Sequence, residues 1–69
     1  MMNKFEYDFL LNQWEGVRGA AYNQTFSFCR SFGWCAGFDH ENRPIVTKRG
    51  MKAVKQYREE NSKRIRFNR

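Results

Sequence analysis

Eleven of the twelve aromatic side chains precede residue 58, so the core of this 69-residue chain has to be built from its first 57 positions. A chain of this length buries only about 60% of the surface its unfolded form exposes, which allows one small, marginally stable domain. Each large ring can remove roughly 150–250 Å² from water, and a few of them suffice for a workable core. The charges are distributed the other way. Residues 43–69 hold ten of the thirteen Lys and Arg side chains and only two acids, Glu59 and Glu60, whereas residues 1–42 hold three bases and five acids. The formal charge of +6 therefore arises entirely in the C-terminal part. A concentrated positive field of this kind attracts polyanions and releases counterions when it neutralises a phosphate backbone.

Residues 3–15 read as a helix, with Tyr7, Leu10, Leu11, Trp14 and Val17 on one face and Phe5 and Phe9 on a second. A helix apolar on two sides is either sandwiched or leaves Phe5 and Phe9 free to meet a partner. Gly16 and Gly19 favour a turn after it. Residues 20–32 form the cleanest amphipathic pattern. Ala21, Tyr22, Thr25, Phe26, Phe28, Cys29 and Phe32 fill one arc of about 160°, and Asn23, Gln24, Ser27, Arg30 and Ser31 fill the opposite one. That polar face has no Glu and no Lys, the usual residues of a merely solvated helix. Gly33 is placed to stop it.

From Trp34 the period shortens. Trp34, Ala36 and Phe38 alternate with Cys35 and Gly37, Asp39 to Arg43 form a polar tip, and Pro44-Ile45-Val46-Thr47 returns as a second strand. Thr47 then suits the N-cap of a helix over residues 48–60. Its expected buried face is Gly50, Met51, Ala53, Val54 and Tyr57, with Lys48, Lys52 and Lys55 opposite. The pattern predicts an α+β domain over residues 1–60, followed by a basic tail, 61–69, as a frayed helix end or an arm that orders on binding.

Several classes of protein are disfavoured. Cys29, Cys35 and His40 supply only three ligands in a C-x5-C-x4-H spacing without paired knuckles, so no metal or cofactor is expected. Two cysteines make no disulfide framework, and Cys29 lies on the apolar arc, where a buried thiol is common. The N-terminal residues do not read as a signal peptide, and no apolar run approaches the ~18 residues of a membrane span. A reduced, cytoplasmic, soluble protein is the expectation. A nucleophile elbow, a phosphate-cradling glycine loop and a pair of carboxylates on rigid elements are all missing from the pattern, so an enzyme is not expected and no catalytic residue is named.

The order helix, glycine turn, helix, hairpin, helix resembles the winged helix-turn-helix DNA-binding family. Phe32-Gly33-Trp34 is similar to the family's passage from recognition helix into the first wing strand. Ile45-Val46-Thr47-Lys48-Arg49-Gly50-Met51 is similar to its apolar-Thr-x-x-Gly pattern, which closes the wing and opens a final helix. The resemblance spans residues 5–57. The extra helix that usually precedes the helix-turn-helix has no counterpart, which implies a truncated variant or a dimer that replaces the missing packing.

The resemblance implies a small transcriptional regulator bound to duplex DNA, with residues 20–32 as recognition helix. Asn and Gln pair bidentately with adenine and Arg with guanine, so Asn23, Gln24, Ser27 and Arg30 would face base edges. Arg43 at the wing tip, together with Lys48, Arg49 and Lys52, would meet phosphate. Lys63, Arg64, Arg66 and Arg69, interleaved with Ile65 and Phe67, would do the same from the tail, where Phe67 could stack on a base. Two alternatives stay open. An arginine-rich tail with an aromatic suits RNA about as well as DNA. A small aromatic module could instead use the Phe5/Phe9 face to bind a protein partner, as an accessory factor or an inhibitor of a host enzyme.

Overall fold

The computed structural model describes the backbone of residues 2–67 and the side chains of residues 2–61. Three helices and a two-stranded antiparallel hairpin make a small α+β domain: α1 (Lys4–Leu10), α2 (Ala20–Ser31), β1 (Cys35–Phe38), β2 (Pro44–Val46) and α3 (Lys48–Phe67). Among the described residues no helix is long and apolar enough to cross a membrane.

Helix α1 opens on a reciprocal cap. The Asn3 side chain accepts from the Glu6 N–H at 2.9 Å, and the Glu6 carboxylate accepts from the Asn3 N–H at 3.0 Å, which satisfies two otherwise orphaned donors. The helix is seven residues long, not the thirteen that periodicity suggests. Asn12 ends it by taking the left-handed conformation, φ 57°. Its N–H donates to Phe9 O and that of Gln13 donates to Asp8 O, a Schellman closure. Val17 is consequently off the helix and 90% exposed, while Trp14 folds back beside Phe5, ring centroids 6.0 Å apart.

Helix α2 ends in the same way through Gly33, φ 78°. The Gly33 N–H donates to Arg30 O and the Trp34 N–H to Cys29 O. Its fully covered stripe is narrower than the amphipathic arc: Tyr22, Thr25 and Cys29 are buried and Phe26 half-buried, but Ala21, Phe28 and Phe32 are exposed. A domain this small has too few neighbouring elements to cover a 160° arc.

In the hairpin, Cys35 pairs with Val46 and Phe38 with Pro44. Three steps along β1 thus match two along β2, and the extra residue is a bulge at which Gly37 takes φ 129°. Helix α3 is capped by Thr47, whose hydroxyl oxygen accepts from the Gly50 N–H at 3.0 Å. Gly50 is buried against the preceding turn, where an added Cβ would fall on the Trp34 carbonyl oxygen and 2.7 Å from Val46 Cγ1. Val54 is buried and Ala53 and Tyr57 are half-buried, as expected for the inner face. Met51 departs from that expectation and is 57% exposed. The helix runs without a break past residue 60 to Phe67, so no change of secondary structure separates the domain from the basic segment.

The core gathers around Phe9, which is 1% exposed. Its ring meets Tyr22, Phe26 and Phe38 at centroid distances of 5.1, 5.9 and 6.0 Å, tying α1 to α2 and β1. Met2, Leu10, Cys29, Cys35 and Val54 complete the buried cluster. Tyr7 stacks on Tyr57 at 4.6 Å and joins α1 to α3.

Candidate nucleic-acid interface

On α2, Asn23, Gln24, Ser27 and Arg30 are all exposed and share the side away from the core. This face is continuous because Tyr22, Thr25 and Cys29 take up the opposite stripe, leaving the intervening positions in water. The tilted contact of Phe38 with Phe26, 4.8 Å between centroids, sets the hairpin along one flank of the helix.

The wing tip does not present a free cation. Arg43 Nε lies 3.2 Å from Asp39 Oδ2, and its Nη2 lies 2.7 Å from Glu41 Oε1. The Asp39 carboxylate is held below its ordinary pKa, first by the Arg43 backbone N–H and also by the Glu41 N–H and the Arg43 guanidinium. One arginine among two carboxylates leaves the tip net negative, which disfavours the expected contact of Arg43 with phosphate. An arginine at a tip attracts an anion only when its own loop does not neutralise it.

Helix α3 carries what the wing lacks. At 3.6 residues per turn Lys48, Lys52, Lys55 and Arg58 fall in one arc of about 120°, with Met51 among them. Arg49 lies at the flank, its guanidinium 3.4 Å from where a Cβ on Gly33 would sit, over the C-terminal end of α2. That end carries partial negative charge, which favours a cation there. Among the described residues none of these five cations has a carboxylate within ion-pair distance. Four of the seven acids are engaged elsewhere: Asp8 pairs with Lys4 at 3.1 Å, Glu6 caps α1, and Asp39 and Glu41 hold Arg43, while Glu59 and Glu60 follow the cations along α3.

The α3 cations border a groove of about 790 Å³ whose apolar lining is Leu11, Met51 and Val54. Arg58 is fixed at one end by a hydrogen bond from its Nε to the Tyr7 hydroxyl at 3.1 Å. Sequence reasoning did not place Lys55 and Arg58 among the phosphate-binding residues. Their helical spacing to Lys48 and Lys52 is visible in the sequence, but the wall supplied by Leu11 at the end of α1 is not. Lys63, Arg64, Arg66 and Arg69 lie outside the residues whose side chains are described.

Phe5 and Phe9 do not share a surface. Phe9 is the centre of the core, so its assignment as a partner contact is corrected. A seven-residue helix packed against α2 and the hairpin has that side fully covered. Phe5 is 64% exposed and borders a shallow cavity of about 200 Å³ with Trp14, Ala21 and Phe28. Cys29 and Cys35 are buried free thiols, and His40 stands exposed at the hairpin tip. Among the described residues no three His, Cys, Asp or Glu side chains come together as metal ligands.

Comparison with known proteins finds no family model, no curated protein and no solved structure that matches this chain.

Proposed function

We propose that this protein binds duplex DNA as a small regulator of transcription, gripping phosphates with α3 and presenting the polar face of α2 to base edges. The reading is carried by one observation: five cations on one helix have no carboxylate partner among the described residues, while four of the seven acids are engaged in local pairs and caps. Phosphate contacts set affinity and register, and base contacts set sequence choice. Lys48, Arg49, Lys52, Lys55 and Arg58 take the first role, and Asn23, Gln24, Ser27 and Arg30 the second. The winged-helix resemblance supports the same division, except that the acidic wing tip is held away from the backbone. A dimer would let two α2 helices enter successive major grooves about 34 Å apart.

Anisotropy of a labelled random duplex, titrated with protein at ~50 and ~200 mM salt, tests the proposal. Five phosphates neutralised would give a slope of about −4.5 in log K against log salt, hence a loss of about 500-fold over that range. Tighter binding to a single strand of equal length would turn the reading toward RNA. Absence of binding at low salt would reject nucleic acid in favour of a protein-binding module, for which exposed Phe5 beside Phe28 is the supporting observation.

A further inference from the structure

We infer that the α3 groove docks an acidic amphipathic helix of a protein partner, and that this partner competes with DNA for the same cations. The docking goes beyond the DNA reading and does not depend on it; only the competition rests on it.

Phosphate recognition requires charge and hydrogen-bond donors, and it gives no reason for an apolar lining. Yet Met51 stands 57% exposed amid the cations of α3, with Leu11 as the facing wall and buried Val54 beneath. A thioether surrounded by lysines is out of place on a purely phosphate-binding face. It is well suited to apolar anchors presented at i, i+3/i+4 and i+7 by a helix lying in a groove. Flexible methionine adapts to such anchors.

Length and charge agree with this occupant. From Lys48 to Arg58 the groove follows α3 for about 15 Å, close to three turns of a second helix. Its rim of Lys48, Lys52, Lys55 and Arg58 has no carboxylate partner among the described residues, so an occupant with Glu or Asp flanking its apolar stripe completes those pairs. A second copy of this chain is a poor occupant, because its own α3 repeats the same positive face. A lipid surface is a poor one too: Val54 is buried at the bottom of a groove rimmed by cationic side chains, out of reach of a flat layer.

The test uses the full chain and two labelled peptides of about four turns and identical Leu/Glu composition. In one, the leucines recur at i, i+3/i+4 and i+7; in the other they are scattered around the helix. The patterned peptide is expected to bind at least about ten-fold more tightly in anisotropy titrations. Met51→Gln, a change at an exposed position of similar length, should abolish that difference. It should leave duplex affinity within about two-fold and the thermal transition unchanged. Lys52→Ala with Lys55→Ala should weaken both peptides, and the patterned peptide should displace labelled duplex. Equal binding of the two peptides, or a preference that survives Met51→Gln, would overturn the inference. So would binding of vesicles containing phosphatidylserine without binding of the patterned peptide. If the duplex is not bound but the patterned peptide is, the DNA reading fails and the docking stands.

Discussion

The Thr47 hydroxyl donates a hydrogen bond to the Gly33 carbonyl at 2.6 Å across fourteen positions of sequence. The same oxygen accepts from the Gly50 N–H, and the Thr47 N–H donates to Trp34 O at 3.0 Å. One residue thus ties the end of α2 to the start of α3 and closes the base of the hairpin. The two cationic and polar faces are held in fixed relation by this junction, and α3 begins where it does because of it.

Thr47→Val should therefore destabilise the protein by about 2 kcal/mol. Loss of an N-cap hydroxyl costs about 1 kcal/mol, and leaving the Gly33 carbonyl without its donor adds about 1 kcal/mol. Thr47→Ser, which keeps both bonds, should recover most of it. Urea denaturation followed by circular dichroism reads the difference, and equal midpoints for the two variants would contradict the role of the hydroxyl.

Gly50→Ala separates helix propensity from packing by sign. Alanine favours a helix over glycine by about 1 kcal/mol. At this position its methyl meets the Trp34 carbonyl, a backbone atom that cannot swing away, and overpacking typically costs about 1–3 kcal/mol. The expected net effect is destabilisation of up to about 2 kcal/mol. Gly19→Ala adds a Cβ that meets nothing within 4 Å, so in the same denaturation experiment its cost should be only that of replacing glycine by alanine at the N-cap of α2, about 1 kcal/mol.

Arg43→Ala should leave duplex affinity within about two-fold, because the guanidinium already serves Asp39 and Glu41. Lys52→Ala with Lys55→Ala should weaken every duplex similarly and reduce the salt slope by about 2, one unit for each phosphate no longer neutralised. Arg30→Ala should instead reduce discrimination between sites. Titrations of the three variants against two unrelated duplexes, at two salt concentrations, distinguish these outcomes.

Burial raises the Cys29 thiol from its ordinary 9.0 to about 12, with smaller contributions from Glu6 and Cys35. In the unfolded chain the thiol ionises near 9, while the folded state resists ionisation until about 12. Its stabilising contribution is complete below pH 9, falls as pH rises from 9 to 12, and is gone above that. Urea midpoints of the wild type should decline more steeply than those of Cys29→Ala across that window. At neutral pH, maleimide labelling of Cys29 should proceed only as fast as the protein opens.

Features governed by a few adjacent residues were legible in the sequence. Thr47 as N-cap, Gly33 as stop, the hairpin with its polar tip and the span of α2 all follow from interactions within about one turn of chain. The early end of α1 was hidden, because Leu11 and Trp14 continue the apolar period while Asn12 adopts a conformation that asparagine tolerates without requiring. The candidate site was legible as residue types and spacing: the uncharged stretch of α2 around Asn23, Gln24 and Ser27 and the lysines of α3 both follow from helical angle alone.

A helical angle says which side chains share a side; it does not say which sides a 69-residue domain has the mass to cover. Only the tertiary structure decided that Phe9 is enclosed while Phe5 and Phe28 are not, that Met51 faces out between lysines, and that Leu11 makes a wall for them. The fate of the charges was decided there as well, since Arg43 is paired with two carboxylates of its own turn while the cations of α3 form no ion pair among the described residues. Composition determined how much charge and apolar surface the chain carries. Proximity determined which of it is left over, because both Coulomb attraction and burial depend on distances that arise only once the elements have packed.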